Sequence, residues 1–455
     1  MILSIDGVRN LPAEERDLLH DLCTVYEKKK PRNEIRQRYY DAHNRLKDLK
    51  ISIPPQLRDV ETVVGWAAKA VDALAVRSRF DGFTLGDGTP ALLDVVSGNH
   101  LKVLYSQATT SELTSSCSFL TVSKGLEDEP PVLVSAYSAL NAAGLWDSRK
   151  KRIKAGLSIV RTDPDKNDNP QVSAVNLYTD SATWEIVNTG GGWVATAHPH
   201  SMGRPMIEPL AYRPSLDRPF GKSRISRAVM SITDSAVRAA LRAEVGAEFF
   251  TSPQKYLLGA DDDVFSSGSK WEAYIGNIFA ISDNEDGERV SFGQLPQGTM
   301  QPHVDYMRSL AARFSGETSI PVSDLGVIHD NPASAEAIYA AKESLVIEAE
   351  ALNETNAIAL QSIGRMALAA IADIPLDELG ENEKAITPHF KNPAMPSIVS
   401  QADAMVKIAA AAPYIAQTEV FLEELGFDEA TRKRLLDEKA QIEQTAAIQA
   451  AIFGE

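Results

Sequence analysis

From Ala333 to about Ala372 the chain has no proline, one glycine, and Ile338, Leu345, Leu352, Leu360, Ile363 and Met366 recurring near helical spacing. At ~1.5 Å per residue such a helix is a rod of roughly 60 Å, longer than one compact domain ordinarily uses. Asn331-Pro332 stands just before it, a helix-cap residue followed by one that needs no intrahelical donor. The preceding stretch, Gly316 to Asp330, is small and polar with scattered apolar anchors at Ile320, Val322, Leu325 and Val327. It reads as a loop held out from the start of the rod into a shared space.

With 455 residues there is room for several domains around that rod, because single cores stop growing near ~250–300 residues. No apolar run approaches the ~18 residues of a membrane span, and the opening MILSIDGVRN lacks a signal-peptide pattern. Cys23 and Cys117 give neither a disulfide framework nor a metal-ligand spacing, so a reduced, intracellular setting is expected. The net charge of −16 argues against a simple DNA-coating protein, which is expected to be basic, and on its own it fits acidity that serves solubility. It is compatible with a protein that lets nucleic acid slide past.

Taken in order, residues 11 to 50 read as helix, with an apolar stripe at Leu18, Leu19, Leu22 and Val25. Basic residues outnumber acids from Lys28 to Lys50, with Tyr39-Tyr40 among them, a pattern of either an interface face or a nucleic-acid surface. Residues 57 to 80 form a second amphipathic helix. From about Lys102 to Leu210 the period falls towards two, and KVLYSQ, SFLTVS, PVLVSAYS, KAGLSIVRT, VSAVNLYT, TWEIVN and WVATAHP read as antiparallel strands. PDKNDNP at 164–170 and TGGG at 189–192 read as hairpin loops. His198 and His200 make an HxH pair with no third ligand near, which fits an exposed loop better than a metal site.

Residues 221 to 250 show the clearest helical pattern. Ile225, Val229, Ile232, Ala236, Ala239, Ala243, Ala247 and Phe250 form one stripe, and Arg224, Arg227, Arg238 and Arg242 a second, narrow one. The arginines are placed either to pair with the neighbouring acids or to meet a polyanion. Residues 253 to 300 carry short β-like runs between acidic turns, with eight acids against Lys270 and Arg289 from Asp261 onward. A helix returns from Pro302 to Gly316, so the chain runs out, through a small acidic insert, and back. Beyond Pro375 a polar run precedes two helices, 397–424 and 428–452, joined at Gly426.

No phosphate-binding P-loop, dinucleotide-binding glycine motif, HExxH or GxSxG occurs. Ser323, Asp324 and His329 are close in sequence, but a triad is defined by geometry, and no catalytic role or cofactor is expected of them.

The ordered set YYDAHNRL (39–46), VVGWAAKAVDALAVRSRFDGF (63–83), LYTDSATWEI (177–186), GRPMIEPLAYRPSLDRPFGKSRI (203–225), LGVIHDNPASAEAIYAAKESLV (325–346) and SQADAMVKIAAAAPYIA (400–416) resembles the portal, or head-tail connector, proteins of tailed bacteriophages, in the branch common in phages of Gram-positive hosts. The resemblance implies an α+β, ring-forming fold: an outer wing of helices and mostly antiparallel β-sheet (1–220), stem helices at 221–252 and 301–316, a small β-containing clip (253–300), a tunnel loop and long wing helix (317–394), and a helical crown (395–455). It implies rings of about twelve subunits at one capsid vertex, through which double-stranded DNA enters and leaves. The implied partners are the major capsid protein, scaffold, terminase and the head-tail adaptor, with no membrane.

On this resemblance Glu317, Thr318, Ser319, Val322, Ser323, Asp324 and His329 would lie in the tunnel loop. Arg224, Arg227, Arg238 and Arg242 would form a charge stripe on the stem, and Asp261, Asp262, Asp263, Trp271, Glu285 and Asp286 the docking surface of the clip. A non-portal scaffold protein of the phage head, and a hydrolase using the 315–330 loop, are the competing readings.

Overall fold

A computed structural model describes residues 5–44, 62–84, 90–164, 168–250, 255–258, 291–294, 299–326, 335–394, 398–427 and 429–453. The chain divides into two units, Met1–Pro393 and Ala394–Glu455.

Alternation explains the sheet that dominates the first unit. Strands β4 (Ala142–Asp147), β5 (Arg152–Pro164), β6 (Pro170–Tyr178), β7 (Ala182–Asn188) and β8 (Trp193–Pro199) form a five-stranded antiparallel sheet in sequential order. Every second residue of β5 from Ile153 to Ile159 is buried, as are Val175 and Leu177 on β6 and Ile186 on β7. Helix α1 (Ala13–Tyr40) covers this face with Leu19, Leu22, Cys23 and Tyr26. Burying Leu22 completely contributes about 2–3 kcal/mol. Both expected hairpins are present: Pro164 pairs with Pro170, and residues 189–192 join Asn188 to Trp193.

A second, three-stranded sheet has the order β3 (Val132–Ser138), β2 (Cys117–Lys124), β9 (Ile207–Ala211). The central strand β2 is buried on both faces over its first six residues. On one face Ser118 Oγ donates to the Ala108 carbonyl of helix α4 (Leu101–Ser115). On the other, Phe119 lies 6.0 Å from Phe220. The expected KVLYSQ strand is instead the start of α4. Its β-forming residues are overridden by a helical stripe, Leu101, Tyr105, Ala108 and Glu112, all of them buried. Helix α2 (Trp66–Ala75) is shorter than the expected 57–80, and residues 62–65 are not helical. Strand β1 (Phe80–Thr84) and the short helix α3 (Pro90–Gly98), unforeseen in the sequence, follow it.

Helices α5 (Arg227–Phe250) and α6 (Gln301–Thr318) pack on each other. Between them β10 (Lys255–Leu258) and β11 (Ser291–Gln294) pair antiparallel. The out-and-back path with a β-closed insert is therefore present.

The rod is real: α7 spans Ala335–Ala372, 38 residues. Its length follows from serving two cores. Leu345, Ala349 and Leu352 join α2, α5 and α6 in one, while Leu360, Ile363, Met366 and Ala367 cover α4 and the three-stranded sheet in another. Past a chain reversal, β12 (Thr387–Phe390) pairs antiparallel with β1.

The second unit holds α8 (Ile398–Ala411), α9 (Glu419–Glu424) and α10 (Glu429–Phe453). The single helix expected over 397–424 is broken at Pro413, which opens a 3-10 turn through Gln417. Gly426, at φ +88°, makes the expected junction, and an ion pair of 2.7 Å between Arg432 and Glu423 ties α10 to α9. Among the described residues no helix is long and apolar enough to cross a membrane.

Candidate functional site

The helix pair α5–α6 is rooted in one buried guanidinium. Arg224 stands three residues before α5 rather than on it, and is 6% exposed. Gly221, at φ +67°, turns the chain into this position; a Cβ there would lie 2.2 Å from the Tyr212 carbonyl oxygen. Ser223 Oγ donates to the Thr114 carbonyl (2.6 Å) and the Arg224 amide to the Leu113 carbonyl (2.8 Å), fixing the segment to the end of α4.

From there Arg224 reaches three elements. Its Nε donates to the Ala70 carbonyl of α2, and its Nη2 donates to the Thr318 carbonyl at the end of α6 (2.6 Å). Its Nη1 lies 2.5 Å from Glu348 Oε1 of α7. Arg213 (2.9 Å) and the Tyr212 hydroxyl meet the same carboxylate. Burial alone would raise the Glu348 carboxyl, but Arg224, Tyr212 and Arg213 outweigh it and hold it below its ordinary value. Burial is also the main cause that pushes the Tyr212 hydroxyl up to about 12. A carboxylate and guanidinium so paired hold structure together; they offer no free base or nucleophile.

The expected arginine stripe is thus divided. Arg227 and Arg242 are exposed, Arg238 is half-buried and donates to Ser235 Oγ (3.2 Å), and Arg224 is an internal tie. Asp234, beside them, accepts from the Tyr39 hydroxyl and Asn44 Nδ2, each at 3.0 Å. Tyr40 donates to Asp72 (2.9 Å). The two tyrosines at the end of α1 therefore anchor α1 to α5 and α2. The apolar stripe of α5 is buried from Val229 to Ala239, with Ile225 just before it.

Of the residues expected in the loop, Glu317 and Thr318 are the last two of α6. Glu317 accepts from Ser226 Oγ (3.0 Å), and Thr318 is buried. Ser319, at φ +58°, caps the helix, and Ile320 is fully buried beside Phe314 and Trp66 in the core shared with α7. Val322 to Leu325 form a 3-10 turn. Val322 is half-buried, Ser323 is exposed, and Asp324 is half-buried, 3.9 Å from Lys342. His329 lies outside the described residues, as do Asp261, Asp262, Asp263, Trp271, Glu285 and Asp286. His198 ends up exposed on β8, 3.6 Å from Glu185.

A second buried polar set joins α4 to α7. Asn356 Nδ2 donates to Glu112 Oε2 (2.8 Å) and to the Tyr105 hydroxyl (3.1 Å), while Ser78 bridges Tyr105 (2.7 Å) and Asn353 (2.6 Å). No cation faces Glu112 among these partners. Burial pushes its carboxyl up to about 8, with the Asn356 bond pulling the other way.

Glu348, Glu112, Tyr212 and Asn356 escaped the sequence reading. A signal existed: Glu348 falls between Leu345 and Leu352 on the apolar face of α7, and Glu112 falls in register with Tyr105 and Ala108 on α4. A carboxylate at a core position of a helix announces a buried partner.

Over residues 19–445 the chain matches the family model of the phage portal protein, SPP1 Gp6-like. It is 24% identical over 442 residues to the portal protein of Mycobacterium phage D29, covering 93% of this chain and 88% of that one. It is 27% identical over 389 residues to the portal protein of Mycobacterium phage L5, covering 81% and 77%. Among solved structures it is similar to chains in the virion of a native gene transfer agent particle (TM-score 0.41, 15% identity, 76% of this chain and 86% of that one) and in the neck of an empty particle of that agent (TM-score 0.41, 15% identity, 82% and 89%). These scores are too low to place residues by. The family match spans nearly the whole chain, both units included, and the chain belongs to the SPP1 Gp6-like phage portal protein family.

Proposed function

We propose that this chain is the subunit of a portal ring of about a dozen copies at one capsid vertex, a channel for DNA packaging and ejection rather than an enzyme. The observation that carries this, beside family membership, is the helix pair α5–α6 with a β-closed insert at its far end, rooted by Arg224 against the long helix α7. In this reading residues 221–252 and 301–318 are the stem, 253–300 the clip, 319–331 the tunnel loop, 1–220 with α7 the wing, and 395–455 the crown. The clip docks the terminase during packaging and the head-tail adaptor afterwards. The wing meets scaffold and major capsid protein in the virion.

The charge supports a conduit. Affinity for DNA grows with each phosphate neutralised, and a chain of net charge −16 whose two stem helices expose Arg227, Arg242, Arg308 and Arg313 beside the exposed acids Glu244, Asp305 and Glu317 would let the duplex pass. The test is the native mass of the purified protein with negative-stain images of the same sample. Closed rings with a central hole are the expected result. A chain that stays monomeric or dimeric even when co-expressed with capsid and scaffold proteins refutes the reading.

A further inference from the structure

A cavity of about 470 Å³ opens between α1, the start of β2, β4 and the 217–222 turn. Its floor is apolar, formed by Phe119, Ala142, Ala143 and Gly144. Its wall carries Lys29, Arg32, Arg36, Arg218 and Lys222 against the single acid Asp217. Arg36 is spent internally on the Ser115 carbonyl (2.5 Å), and burial, with Arg32 beside it, pulls it down to about 10. Lys29, Arg32, Arg218 and Lys222 are exposed, with no acidic side chain paired to them among the described residues. Unpaired cations around an apolar floor, in an acidic protein, await an acidic group that brings an apolar anchor.

The same subunit carries such a group at the other end of β2. The β2–β3 turn reads Gly125-Leu126-Glu127-Asp128-Glu129-Pro130-Pro131, and Leu126 is 77% exposed. The turn is stiff. Gly125 donates to the Pro131 carbonyl (3.1 Å), Glu129 closes on Leu126 through backbone and side chain (3.0 and 3.1 Å), and a Cβ on Gly125 would collide with Pro130. Glu127 and Asp128 have no basic partner among the described residues. Eight residues of strand separate tip from cavity, roughly 25 Å, so the two cannot meet within one subunit.

We infer that the acidic Leu126 tip of one subunit seats in the basic cavity of the next. A head-to-tail ring needs two different complementary patches on each copy, and these two are complementary in both charge and polarity. The inference rests on the ring reading above and adds the contact that closes it.

The test uses rings of the full-length chain, co-expressed with capsid and scaffold proteins where needed. Reversing the wall (Arg32→Glu with Lys222→Glu) or the tip (Glu127→Lys with Asp128→Lys) is expected to raise the concentration for half-assembly by about ten-fold or more. Combining all four is expected to restore most of it, which a folding defect would not do. A photo-crosslinking residue at Leu126 should mark the 29–36 or 217–222 segment of a neighbouring copy. Wild-type rings that tolerate both reversals, or a crosslink mapping elsewhere, overturn the contact and leave the ring standing. Absence of wild-type rings overturns both.

Discussion

Replacing Glu112 by Gln should remove a pH dependence built into the junction of α4 and α7. Glu112 is fully buried, Asn356 is its donor, and its Oε1 and Asn356 Oδ1 are acceptors that lack one among the described residues. Burial pushes the carboxyl up to about 8 from its ordinary 4.5, against the pull of the Asn356 bond, and the proton it keeps supplies a donor to a site with surplus acceptors. Between those two values the folded chain keeps a proton that the unfolded chain has released. Stability from this group is therefore complete below pH 4.5, falls as pH rises, and is lost above pH 8. At ~1.36 kcal/mol per pH unit the ceiling is about 5 kcal/mol, and relaxation around the charge lowers the expected loss to about 2–4 kcal/mol. Melting followed by calorimetry from pH 5 to pH 9 reads this directly. The wild-type chain should lose several degrees across that range that Glu112→Gln keeps. Parallel melting curves for the two proteins would falsify the argument, since they would mean that Glu112 is ionised in the fold or reached by water.

Arg224→Ala should destabilise the first unit by about 3–5 kcal/mol, because Glu348 stays buried without its main partner. Arg224→Met combined with Glu348→Leu should recover most of that in denaturant melts, and should also lose the wild-type drop in stability on acidification below pH 4.5, where the depressed Glu348 carboxyl takes up its proton. Gly221→Ala should cost about 2 kcal/mol or more, from left-handed backbone and contact with the Tyr212 carbonyl, read as a lower denaturation midpoint. Asp324→Asn should change stability by less than about 0.5 kcal/mol, since its pair with Lys342 is long and half-exposed; a larger loss would mean the 322–325 turn depends on that pair.

The architecture was legible where one pattern dominated. The rod, the α5 stripe, the out-and-back path and six of the strands follow from periodicity and from proline and glycine at the joints. Reading failed where burial overrode local preference. Val103, Leu104 and Tyr105 favour a strand, yet they lie in a helix because residues 101, 105, 108 and 112 turn one face to the core. Arg224 extended a convincing helical stripe, but the chain is still turning through Gly221 when it passes that position, and the side chain goes inward. The loop before the rod looked free because its residues are small. Ile320 was one of its anchors, and the anchor holds. What remained hidden was pairing between distant residues, such as 224 with 348 or 112 with 356, which no local pattern encodes.

Sharing α7 between two cores also fixes an order of events during synthesis. Strands β2, β3 and β9 are complete once Ala211 has emerged, but the residues that cover them, Leu360 to Ala370, follow roughly 150 residues later. At ~10 residues per second the sheet waits about 15 s with an apolar face bare. Throughout that interval the nascent chain carries apolar surface open to aggregation, and a chain that stops before Ala372 lacks the helix that closes its first unit.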